Sequence, residues 1–211
     1  MLRAGILVLG LLLAGLGSAQ QVIDAIAARV ENDIILLSDV RALARYQQLV
    51  DGRSENDAQI LDRLIDQWIV RNEADAAQFP HPQEVEVHRA LEQLQGSYGS
   101  PEEYEARKKQ AGLSDQDIRK MLAAQLYLSS YLDSRFRPSV QVDPQALQDF
   151  YQKTIVPRAR ARGQAPPSFE ASKDYIEEAV VQRGINKQAD GWLKQSRARL
   201  KIEKFLDEGR P

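Results

Sequence analysis

The chain has 211 residues, with 28 Lys and Arg against 30 Asp and Glu, a formal net charge of −2 and no cysteine. This balance offers no basic face of the kind nucleic acid requires, so nucleic acid is not expected as a partner. Disulfides are excluded, and the length suffices for one domain with a sizeable core.

Met1-Leu2-Arg3 is a short basic start, and Ile6 to Leu16 is an apolar run interrupted only by Gly and Ala. Gly17-Ser18-Ala19 then places small residues at a cleavage site. This is the pattern of a secretory signal peptide over 1–19. The run is shorter than the roughly 20 apolar residues of a membrane span. No second run follows, so the expectation is an exported chain, 20–211, with no stable membrane insertion after cleavage. Its formal charge would be −3, which is −2 less the one charge of Arg3.

Residues 22–39, VIDAIAARVENDIILLSD, read as a β-hairpin. Ile26, Ala28 and Val30 share one parity, and Ala27 and Arg29 the other. Glu31-Asn32-Asp33 breaks the run, where Asn and Asp suit a turn because they tolerate φ > 0. Ser38-Asp39 is expected to cap the following helix. A lone hairpin is marginal in water, so it needs a further strand and a cover.

A helix is predicted over 38–50, ended by Gly52, and a second over about 56–78. In the second, Ile60, Leu61, Leu64, Ile65, Trp68 and Ile69 fall on one face. Full burial of such side chains is worth roughly 1.5–3 kcal/mol each before ordering entropy. Phe79-Pro80-His81-Pro82 stops that helix. Further helices are predicted over 82–95, from Ser100-Pro101 to about Gly112, and over 114–137. Another starts at Asp143-Pro144. Residues 156–167 read as a linker-like loop, followed by a helix over 169–182 that Gly184 could kink or break. Leu200 and Ile202 share a parity that fits a short strand, the obvious partner for the hairpin. The expected fold is mostly α: a single helical domain with a small antiparallel sheet made by the N-terminal hairpin and a C-terminal strand.

The segments VIDAIAARVENDIILLSDV, LIDQWIVRNEADA, PQEVEVHRALEQL and SPEEYEARKKQAGLSDQDIRKML, with the ending ADGWLKQSRARLKIEKFL, resemble the SurA-like periplasmic chaperones. The resemblance is to their N-terminal chaperone region and the C-terminal segment that returns to it. It covers about residues 20–150 and 170–207. It implies a periplasmic chaperone whose partners are unfolded outer-membrane or secreted proteins. Parvulin domains of roughly 100 residues, an ordinary small-domain size, lie between the matching parts in that family. Here only about Pro138 to Pro167 is available, so no such domain fits and isomerase activity is not implied. Two other readings stay open: an unusual peptidyl-prolyl isomerase-related foldase, and a periplasmic adaptor for one specific folded partner.

The sequence contains no phosphate loop, so the expected chaperone is ATP-independent. No cofactor and no catalytic residue is expected, for no serine sits in a nucleophile elbow. His81 and His88 lack further ligands at metal spacing, so no metal site is expected. Glu102, Glu103 and Glu105 suit a helix N-terminus. Arg158, Arg160 and Arg162 read as a solvated loop or as a contact for acidic client segments or anionic lipid. Tyr98, Tyr104, Met121, Tyr127, Tyr131 and Phe136 are the candidate peptide-binding residues, because Tyr and Met favour adaptable apolar surfaces. Tyr127 and Tyr131 share a helix face that could line a crevice or belong to the core.

Overall fold

The computed structural model describes residues 24–52 and 55–206. The expected signal peptide, and Val22 and Ile23 of the expected first strand, lie outside them. Strand β1 (Ile26–Val30) pairs antiparallel with β2 (Asp33–Leu36) and with β3 (Ile202–Lys204). The order is β2-β1-β3, so the C-terminal strand completes the sheet on the free side of β1.

The hairpin departs from the expected parity. Its register shifts between Ile26 and Ala28, so Ala27 and Ala28 are both buried and Ile26 is exposed. A bulge has this effect because it turns two successive residues toward one partner. The turn residue with positive φ is Glu31, at 53°, rather than Asn32 or Asp33. The Glu31 N–H donates to the Lys201 carbonyl at 2.9 Å, and its carboxylate accepts from the Lys201 N–H at 2.7 Å. A conformation unfavourable for glutamate is thus held by the returning C-terminal chain.

Helix α1 (Leu37–Asp51) begins one residue before Ser38. Ser38 is not the cap: its N–H donates to the Asp24 carboxylate at 3.2 Å, while Asp39 accepts from the Leu36 N–H at 3.0 Å. Gly52 closes α1 at φ 64°, the left-handed conformation a helix end favours. Helix α2 (Asp57–Ala76) buries Ile60, Leu61, Ile65 and Ile69 against the sheet and α1, with Leu64 and Trp68 partly buried beside them.

Helices α3 (Glu84–Gly96), α4 (Pro101–Ala111) and α5 (Asp115–Phe136) form the other side of the body. Ser100 caps α4 by accepting from the Glu103 N–H at 3.2 Å, but the Glu103 carboxylate accepts from Gly99 rather than closing a box on Ser100. Ser114 and Asp117 do form a reciprocal box at the start of α5. Val87, Leu91 and Leu94 of α3, Tyr104 of α4, and Ile118 and Leu122 of α5 pack with Tyr46 and Leu49 of α1.

Beyond Phe136 the chain builds an arm. Helix α6 (Pro144–Phe150) runs through a π-turn at Tyr151–Ile155 into α7 (Val156–Ala161). The expected linker over 156–167 is therefore helical up to Ala161, and only 162–168 is loop. Proline inside a uniform α-helix would collide with the carbonyl four residues back. The wider turn just before Pro157, where the Val156 N–H bonds to the Tyr151 carbonyl, makes room for it.

Helix α8 (Phe169–Arg197) is unbroken over 29 residues, about 44 Å. Gly184 does not kink it. A Cβ there would lie 2.6 Å from Val140 Cγ1, so glycine serves the close approach of the turn after α5. The N-terminal half of α8 packs with α6 and the π-turn through Ile176, Leu147 and Phe150, with Tyr151 and Ile155 beside them. Its C-terminal half enters the body through Ile185, Ala189, Trp192 and Leu193.

Candidate functional site

The tyrosine face is nearly closed, although Tyr127 lines a small cavity of about 270 Å³ together with Phe79, His81 and Leu126. Tyr127 is 4% exposed and Tyr131 is 5% exposed, packed on Val70, Ala74 and Phe79. Phe79 meets Tyr131 edge-on at 5.5 Å, and His81 stacks on Tyr127 at 4.3 Å. The Tyr127 hydroxyl donates to Asp75 at 2.7 Å. Burial, followed by the Asp75 carboxylate, pushes that phenol up to about 12. The Tyr131 hydroxyl accepts from Arg135 at 2.9 Å. Burial assigns both tyrosines to the core because α5 is covered on this side by the C-terminal end of α2 and by α8.

Phe136 is also buried, 6.0 Å from the Trp192 ring, and the Arg135 guanidinium lies over both rings. Tyr104 is buried and lies edge-on to partly buried Tyr98 at 5.4 Å. The Tyr98 hydroxyl donates to the Leu49 carbonyl, joining the turn after α3 to α1. Burial pushes both phenols above their ordinary value. Of the six candidates, only Met121 lines the groove described next.

That groove runs between α1 and α5 and encloses about 480 Å³. Its α5 wall is the stripe Met121, Ala124, Gln125, Leu128, Ser129 and Leu132, spaced three and four apart along one helix face. Leu43, Gln47 and Val50 of α1 form the opposite wall, and Gln67 and Val70 of α2 also line it. The Tyr46 hydroxyl donates to Gln125 at 3.2 Å and bridges the walls. Burial and then the Asp51 carboxylate push Tyr46 up to about 12, so it stays neutral there at ordinary pH.

Two of the three charged residues that line the groove, Arg63 and Asp66, are paired, while Asp51 makes no ion pair among the described residues. Arg63 makes two contacts to Glu55, at 2.5 and 2.7 Å, and Arg197 donates to Asp66 at 2.6 Å. The lining therefore combines apolar side chains with amides, hydroxyls and the charged Asp51, Arg63 and Asp66. Such a surface can accept apolar side chains and still satisfy the backbone groups of an extended peptide. Its size is within the range of ligand clefts.

The groove stripe was missed in the sequence because Gln125 and Ser129 interrupt it. Tyr127 and Tyr131, on the neighbouring face, gave the stronger signal. Residue spacing alone contained the information: 121, 124, 125, 128, 129 and 132 is a complete helical face.

Among the described residues no group of three or more His, Cys, Asp and Glu side chains could hold a metal ion. His88 lies at the surface, 3.3 Å from Glu92. Among the described residues no helix is long and apolar enough to cross a membrane. Arg158 and Arg160 lie on α7 and Arg162 follows its end; all three are exposed. No protein-family model matches this chain, and neither does any curated protein.

Proposed function

We propose that this chain is a periplasmic, ATP-independent chaperone that holds unfolded outer-membrane or secreted polypeptides without isomerase activity. One observation supports this reading most: the open groove between α1 and α5, apolar but interspersed with amides, with adaptable Met121 on its wall. The order of sequence segments shared with SurA-like chaperones supports the same reading. The C-terminal strand returning to the N-terminal hairpin is compatible with that order. A holdase acts by mass action, binding the unfolded chain in preference to the folded one. Outer-membrane β-barrel precursors fit as clients, because their strands expose unpaired edges until the barrel closes.

The test is suppression of aggregation by the full exported chain, using several unrelated unfolded outer-membrane proteins. Suppression should fall at least about fivefold in the double variant Val50→Asp, Ala124→Glu. Both residues line the groove, Val50 is exposed and Ala124 partly so, and charge there is costly for apolar binding. The melting temperature should stay unchanged. Absence of suppression by the wild-type chain would overturn the reading. Equal suppression by the double variant would move the binding surface elsewhere.

A further inference from the structure

The arm ends in a feature that the groove does not use. From Phe150 to Phe169 the sequence holds Lys153, Arg158, Arg160 and Arg162 and no acidic residue. Lys153 is paired with Asp149 at 2.6 Å. Elsewhere on the arm and at its root, Arg137 is paired with Asp133 and Glu178, and Arg183 lies 4.4 Å from the Phe150 ring centroid. Arg158, Arg160 and Arg162 have no ion-pair partner among the described residues. Glu170, the next acid in the chain, forms no pair with them either. Three uncompensated cations thus sit together at the end of a hairpin in a chain whose overall charge is negative.

We propose that this tip is a capture surface for acidic segments of unfolded polypeptides. The proposal rests on the chaperone reading and adds to it the class of segment recognised first. Arg158 and Arg160, two residues apart on α7, project in different directions around the helix, and Arg162 follows at its end. A fan of this kind suits a flexible chain that can wrap around it. The guanidinium forks match carboxylates in geometry.

A bilayer fits less well. None of the exposed large apolar side chains among the described residues falls between 156 and 168, so the tip has no apolar wedge to insert. Three cations without such an anchor give only marginal attachment to anionic lipid. Charge at the end of a projecting arm serves encounter: it raises the rate at which an oppositely charged chain is met and is weakened by salt.

The test uses two synthetic peptides with one apolar core, flanked by glutamates in one and by glutamines in the other. Binding is measured by fluorescence anisotropy to the full exported chain and to Arg158→Gln, Arg160→Gln, Arg162→Gln. The wild-type chain should bind the glutamate peptide about five- to tenfold more tightly at low salt, as expected of several exposed ion pairs. That preference should vanish in the triple variant and at high salt, while glutamine-peptide affinity stays the same in both proteins. An acidic preference that persists in the triple variant overturns the proposal. So does an arginine-dependent gain seen only with anionic vesicles, which would reassign the tip to lipid. If both peptides bind the wild-type chain alike, this proposal fails alone. If neither binds, the chaperone reading fails and the capture surface with it. Unchanged melting of the triple variant confirms that folding is not the cause.

Discussion

The body and the arm are built from the same kind of helix but are held together differently. In the body, α1, α2 and α5 each contribute to more than one apolar contact region, the sheet joins one of them, and the fully enclosed Val40, Ile60 and Ile118 lie on three different helices. The arm has one small cluster, Leu147, Phe150 and Ile176, with partly buried neighbours from the same hairpin. Its connection to the body is α8 and the joint at Arg137 and Val140. A core shared among many elements unfolds as a unit, whereas a two-helix arm can open on its own. A region carrying fixed charge at its tip can therefore move or fray without loss of the groove.

Removing the C-terminal strand should have the largest effect. Deletion of 200–211 takes away β3 and the partly buried Leu200, Ile202 and Leu206 that pack on the sheet core. It also removes Lys204, which shares Asp62 with Arg197, and Lys201, which holds Glu31. A loss of about 3–6 kcal/mol is expected from the half-buried apolar groups, against a typical total of roughly 5–15 kcal/mol. Thermal melting checks this. An unchanged transition would mean that the body does not depend on the strand.

Phe150→Ala should act locally. Large-to-small changes of a buried Phe cost about 3–5 kcal/mol, more than the arm cluster can absorb. Hydrogen exchange should lose protection over 144–182 while 115–136 keeps it, and the main melting transition should move little. If the main transition falls as far as it does for Leu122→Ala in the body, arm and body form one cooperative unit.

The smallest effect is electrostatic and lies at the joint. Hydrogen bonds from Arg137 and Gln182 hold Glu178 at about 2, below its ordinary 4.5, and Arg137 first among its partners lowers Asp133 as well. Because these folded-state values are depressed, the stabilisation is present above the ordinary carboxylate range. It is lost as pH falls from about 4.5 toward 2. Arm protection should weaken across that window in the wild-type chain and be nearly flat in Arg137→Gln. An identical pH profile in both proteins would remove the joint from the account.

How much of this was legible in the sequence depended on whether the cause was local. The α2 face, the Gly52 stop, the Ser100 and Ser114 caps and the C-terminal strand were readable because periodicity and capping chemistry act within a few residues. The single domain with its hairpin-and-strand sheet follows from the same signals. What failed depended on distant neighbours. Gly184 reads as a breaker until Val140 is seen against it. The residues from Val156 to Ala161 read as linker because a π-turn has no strong sequence signature. The choice between crevice and core for Tyr127 and Tyr131 turns on the cover that α2 and α8 supply. Of the six candidate residues, Met121 lines the groove between α1 and α5 and Tyr127 lines the smaller cavity beside Pro80.

The π-turn also sets the reading frame of α7. Counted from buried Leu147 at uniform α-helical spacing, the inward position would fall at Arg158. One extra residue wound into Tyr151–Ile155 shifts that slot to Ala159, which is partly buried, and turns Arg158 out to solvent. A single-residue deletion within 151–155 would close the π-turn and keep Ala159 inward, whereas rewinding the undeleted segment as uniform α-helix would shift every side-chain direction in α7 by one position. In that rewound helix the composition of the tip would stay the same, but Arg158 would be aimed at the arm's own core.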